Sequence, residues 1–183
     1  MNKTLILKTS LVAAALLALP AAYAATMSKA DYKAGKSQIS ATYKADKAAC
    51  ATSAGNARDV CIEESKAREK VALAEHEYAY TAKADDQNKV WVTKARTGYA
   101  VAKEKCDDLA GNGKDVCVKE AKAVEVKLLA DAKMGKQIDD VKDNAADAKR
   151  DANLKVAAEK CDSLAGDAKA ACMANARAMF GKP

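Results

Sequence analysis

The sequence predicts an all-α protein made of antiparallel long-helix hairpins, coiled-coil-like in their packing, and three observations predict it. The stretch Cys50-Ala51-Thr52-Ser53-Ala54-Gly55-Asn56-Ala57-Arg58-Asp59-Val60-Cys61 is written again at Cys106 to Cys117 and at Cys161 to Cys172. All copies share one frame: Cys, three residues, Ala-Gly, Asn or Asp, four residues, Cys. Composition is the second observation. Alanine, lysine, glutamate and leucine, the strong helix formers, recur throughout, and proline occurs only at Pro20 and Pro183. The third is a 3.5-residue apolar period leading into the first cysteine of each copy.

Each copy reads as the tip of a helical hairpin. A Gly followed by Asn or Asp between helix-favouring runs suggests a C-cap glycine, here Gly55, Gly111 and Gly166, meeting the N-cap of the next helix. Cys50 lies five residues before Gly55 and Cys61 six after it, so on antiparallel helices the two face each other. Axes about 8–10 Å apart, less two Cα radii of about 2.3 Å, leave a gap that overlaps the roughly 4.4–6.8 Å a disulfide spans. Six cysteines allow 15 connectivities. Only Cys50–Cys61, Cys106–Cys117 and Cys161–Cys172 give every copy the same structure. Closing so short a loop stabilises a hairpin by roughly 3 kcal/mol in the chain-entropy model.

Taken in order, residues 1–24 read as a secretory signal peptide. Lys3 and Lys8 charge its start, residues 11–19 form an apolar centre too short to span a bilayer, and Ala22-Tyr23-Ala24 fits the small-x-small rule for cleavage after Ala24. The mature chain, 25–183, then reads as one helical domain of three repeats, about 28–84, 85–138 and 139–183. Outgoing helices carry the stripes Tyr32, Ile39, Tyr43, Cys50; Val92, Ala95, Tyr99, Ala102, Cys106, Leu109; and Leu154, Ala157, Cys161, Leu164. Return helices carry Val60, Ala67, Val71, Ala74, Tyr78, then Cys117, Ala121, Val124, Leu128. Candidate breaks between tips are residues 85–88, Gly98, Gly135 and 139–144. Asp85-Asp86 and Asp139-Asp140 occupy matching places, so the alternatives are three stacked hairpins or helices running unbroken through those sites; the latter is preferred. Ser28 is expected to open the first helix, and Gly181 with Pro183 to stop the last.

Alanine-lined seams bury little area, and aromatics make up only 4% of the chain, so each hairpin should lean on its bridge. The formal charge is +6, or +4 once Lys3 and Lys8 leave with the signal. Acids and bases interleave, as in Glu63-Glu64-Ser65-Lys66-Ala67-Arg68, which suits a solvated face and argues against nucleic acid. The only histidine, His76, sits in Glu75-His76-Glu77, whose side chains point about 100° apart on a helix and cannot converge on one ion. It reads as a histidine on a partly exposed face. Trp91 and the tyrosines read as seam-filling. No nucleophile triad, phosphate loop or His-Glu-x-x-His is present, so no enzyme, cofactor or metal is expected. Two cysteines per tip supply half a zinc shell, and ten intervening residues are unlike a redox Cys-x-x-Cys.

The Ala/Lys-rich helical body, with Ala121-Lys122-Ala123 and Ala145-Ala146-Asp147-Ala148-Lys149, resembles the central helical region of TolA, an envelope protein spanning the periplasm. It departs from TolA in its cleavable signal and in ending at Pro183 without a globular domain, so TolA's force-transmitting role is not carried over. The thrice-repeated cysteine unit is closer to small secreted proteins of Gram-negative bacteria sometimes labelled TolA-like, a resemblance that implies an envelope location. The expectation is a non-enzymatic periplasmic structural or protein-interaction protein. Its partners would be envelope proteins, with no transmembrane segment after signal cleavage, and long alanine seams are compatible with a homodimer. A stress-related holdase is the alternative, and metal or thiol-redox binding comes third.

Overall fold

The computed structural model describes residues 27–181; the signal peptide expected at 1–24, with its cleavage site, lies outside them. Five α-helices and no strand occur among the described residues. They are α1 (Lys29–Ala49), α2 (Gly55–Thr81), α3 (Ala84–Lys105), α4 (Gly111–Cys161) and α5 (Gly166–Phe180). Single 3-10 turns at Cys50–Thr52 and Cys106–Asp108 finish α1 and α3. Each helix packs on its neighbour in sequence, so the chain meanders as an open layer instead of closing into a bundle. No helix among the described residues is long and apolar enough to cross a membrane.

Ser28 opens α1 as expected: its hydroxyl accepts from the Asp31 amide at 3.1 Å. At each tip the cysteines pair within their own copy, Cys50–Cys61, Cys106–Cys117 and Cys161–Cys172, with Cα separations of 5.6, 5.7 and 5.7 Å. Cys50, Cys106 and Cys161 are buried at the seam. The tip glycines adopt φ near +55°, a left-handed conformation that costs other residues about 1 kcal/mol or more. They are not C-caps, however. The preceding helix has already ended in its tight turn, and Gly55, Gly111 and Gly166 each form the first residue of the following helix, after an extended alanine. The unit is helix, tight turn, extended alanine, glycine, helix.

The layer turns between α2 and α3 at Ala82 and Lys83, just before the expected 85–88 break. Ala82 sits at φ 51°, ψ 20°, and its amide donates to the Tyr78 carbonyl at 2.8 Å. Asp85 and Asp86 fall in the first turn of α3, where acids favour the positive end of the helix dipole. An alanine in the left-handed region is strained, so Ala82→Gly is expected to raise stability by about 0.5–1 kcal/mol after glycine's extra unfolded-state entropy is deducted. Chemical denaturation checks this: a lower midpoint than the parent would contradict it.

The matching junction does not turn. α4 runs without interruption through Gly135 and residues 139–144, and its 51 residues span about 76 Å. The preferred long-helix expectation holds here and fails at 82–83, and the spacing of the chain differs between the two junctions. Asp85 follows Cys61 by 24 positions, whereas Asp139 follows Cys117 by only 22. Over the whole stretch between bridges the deficit is one residue, 45 positions from Cys61 to Cys106 against 44 from Cys117 to Cys161, and Ile138 and Asp139 stay helical at the distances from Cys117 where Ala82 and Lys83 leave the helix.

The outgoing stripes face their partners, with Tyr32, Ile39 and Tyr43 half-buried in α1 and Ala95 buried in α3. Leu109 and Leu164 are exposed, because they lie at the tips beyond the paired helices. On α2 the expected face is half-buried. On α4 the expectation holds for Cys117 and Ala121, which are half-buried, and fails for Val124 and Leu128, which are exposed; Glu125, Leu129 and Ala132 continue the α3 seam in their place. Apolar content misled because a buried carboxylate was not anticipated. Lys122 holds Glu125 at 2.6 Å while its ammonium lies 4.9 Å above the Tyr99 ring, so the charge enters the seam already paired.

Candidate functional site

The cysteine tips do not converge into one site. The first two lie at the same end of the layer, where the Asn56 amide donates to the Glu104 carbonyl at 3.2 Å. The third lies at the far end of α4. Every cysteine is in a disulfide, and among the described residues no cluster of three or more His, Cys, Asp or Glu side chains is placed to hold a metal.

A groove of about 500 Å³ lies between α3 and α4. Ala95, Ala132 and Gly135 are too small to fill the space between the helices, and Leu128 and Trp91 wall it. Trp91 is therefore not seam-filling: 55% of it is exposed, with the Lys94 ammonium 5.4 Å from its ring. Sequence reasoning missed this because Trp91 stands between buried Val90 and half-buried Val92, and periodicity does not say which face of α3 lacks a neighbour. Asn88 Oδ1, in the groove wall, is buried and accepts no hydrogen bond among the described residues. The groove offers apolar surface, one aromatic face and an unused acceptor beside the charged Lys94, Asp131, Lys136 and Asp139, which suits binding an amphipathic group.

Ion pairs stitch the helices beside the groove. Lys94 meets Glu75 at 2.7 Å, Lys105 meets Glu64 at 2.7 Å, and Lys136 ties Asp85 at 2.6 Å, so the α2–α3 and α3–α4 contacts each carry a charged clasp. Asp86, buried in the first turn of α3, accepts from Thr81 at 2.6 Å and from Lys89 at 2.7 Å. Lys89 and then Thr81 hold the Asp86 carboxyl below its ordinary value, and the Lys136 hydrogen bond and charge do the same for Asp85. Carboxylates depressed in the folded state stabilise it above their unfolded pKa of about 4 and lose that contribution as pH falls through the lower folded value. Acid is thus expected to loosen the α2–α3 turn. Melting followed by circular dichroism from pH 6 to about pH 2.5 should show a shallower fall for Asp86→Asn than for the parent, and equal slopes would refute the assignment.

Compared with known proteins, the chain matches no family model, no curated protein and no solved structure. The remaining sequence candidates resolve as packing. His76 is half-buried, stacks on Tyr32 at 5.2 Å between centroids, and donates from Nε2 to the Tyr32 carbonyl at 2.9 Å. Gly35 makes room for it, since any side chain there would run into the imidazole. Tyr80 stacks on the other neighbour of this cluster, Tyr32, at 4.4 Å, and Glu77 accepts from the Tyr32 hydroxyl, holding that phenol above its ordinary value. Glu75 turns away to Lys94, so the Glu75-His76-Glu77 triplet diverges as its helical spacing requires.

Proposed function

We propose that the chain is a non-enzymatic protein of an oxidising envelope compartment, a bacterial periplasm, acting as a rigid spacer or protein-interaction module. The observation that carries this reading is the set of three bridges, each closed within its own tip, since such bonds persist only where thiols are not kept reduced. The leader-like residues 1–24 and the resemblance to TolA-like secreted proteins point the same way. A layer with one bridge per tip and a helix of about 76 Å suits spanning or scaffolding better than enclosing a substrate. Fractionation of cells producing the full chain tests it. The expected product starts at Ala25, leaves with the periplasmic fraction and has no free thiols; a cytoplasmic protein with free thiols would remove the reading.

A holdase is the second reading, favoured by the Trp91 groove and the exposed apolar side chains along α4. Because Trp91 is the only tryptophan, its emission reports occupancy directly. Suppression of a model client's aggregation at equimolar ratio, with a blue shift of that emission, would support holding. Neither effect would be expected of a spacer.

A further inference from the structure

The α2–α3 contact joins the first repeat to the second, and the equivalent contact between second and third is missing from the chain. Because α4 does not turn at 138–140, residues 140–161 continue outward instead of folding back along 111–138. The face of α4 that a returning helix would cover stands bare. On α2 that face is Asn56, Val60, Glu64, Ala67, Val71 and Tyr78, all half-buried; at the same distances from Cys117, α4 carries Asn112, Val116, Glu120, Ala123, Lys127 and Met134, all exposed. Only Lys127, in place of Val71, breaks the match in character.

The contacts of the α2–α3 pair are written again on this uncovered pair. Glu75 and Lys94 correspond to Asp131 and Lys149, Glu64 and Lys105 to Glu120 and Lys160, and Asn56 and Glu104 to Asn112 and Glu159, counting from the cysteines of each repeat. Glu75–Lys94 and Glu64–Lys105 are formed, both at 2.7 Å. Asp131, Glu120, Lys149 and Lys160 make no ion pair among the described residues, although each has the sign its counterpart uses.

We propose that a second copy of this chain supplies the missing helix, α4 lying antiparallel on its symmetry mate. Residues 131 and 149 are equidistant from residue 140, as are 120 and 160. Both ion pairs therefore close twice, Asp131 to Lys149 and Glu120 to Lys160 of the other copy, about one two-fold axis crossing α4 there. An isologous interface requires that self-complementarity. Exposed Met134, Ile138, Val141, Ala145, Ala148 and Ala152 recur at intervals of four and three on the same stripe, a heptad pattern that runs across the axis. Self-association of this kind stands whether or not the chain resides in the envelope.

Sedimentation of the oxidised protein should show a monomer–dimer equilibrium. Asp131→Lys and Lys149→Asp, each placing like charges opposite one another at two symmetric points, should weaken dimerisation about tenfold, and the double variant should recover most of that loss. Ile138→Cys should be linked to its mate by a short bis-maleimide, and Val126→Cys, exposed on another side of α4, should not. A monomer at about 100 µM would overturn the proposal. So would a dimer indifferent to the charge reversals and unlinked at 138.

Discussion

Replacing both members of the last bridge, Cys161→Ala with Cys172→Ala, is expected to release α5 from the molecule. α5 has 15 residues, near the lower limit for a helix stable alone, and Ala176 is its only buried residue. Phe180 is half-buried and Met179 is 72% exposed. Beside the bridge, the Lys169–Asp162 pair at 2.9 Å is solvated and contributes little. The roughly 3 kcal/mol supplied by closing so short a loop is thus larger than what the seam can hold. Amide exchange should show α5 unprotected while α2 and α3 keep their protection. The equivalent change at Cys106 and Cys117 should weaken its hairpin by a similar amount without freeing it, because Ala95, Glu125 and Ala132 remain buried there. Full protection of α5 without its bridge would show that alanine seams hold more than their area suggests.

Inserting Gly-Lys between Gln137 and Ile138 is expected to fold the third hairpin back along α4. The insertion moves Asp139 to 24 positions after Cys117, the spacing Asp85 has from Cys61, and its glycine takes the left-handed place Ala82 occupies at φ 51°. The returning helix would then cover the bare face within one chain. Small-angle scattering should show the longest dimension shortened by about 30 Å, the length of residues 140–161 at 1.5 Å per residue. Dimerisation through α4 should be lost at the same time. An unchanged profile would mean that the shorter spacing from Cys117 to Asp139 is not what keeps α4 straight.

Much of this architecture was legible beforehand. A frame of two cysteines about an Ala-Gly tip leaves one pairing consistent across three copies, and a 3.5-residue stripe ending on each first cysteine put Cys50, Cys106 and Cys161 on the buried side. Reading the glycines as caps placed them at the wrong end of the turn, because the tight turn after each first cysteine has no signature beyond the cysteine itself. The break at 82–83 was hidden for a related reason: Ala82 has no propensity for the conformation it adopts, and only packing on both sides of the turn imposes it. The groove was least legible. A leucine such as Leu128 reads as core in any periodic pattern, and its exposure in the groove wall follows from how α3 and α4 meet, a property of the layer and not of the local sequence.

The bridges also bear on how such a chain matures. Each links a cysteine to the next one along the sequence, 11 positions away, and none crosses another. As the polypeptide emerges with its N-terminus leading, every thiol meets its mate before the following pair has appeared. Oxidation in order of synthesis therefore gives the native set directly, with no wrong partner within reach to be reshuffled.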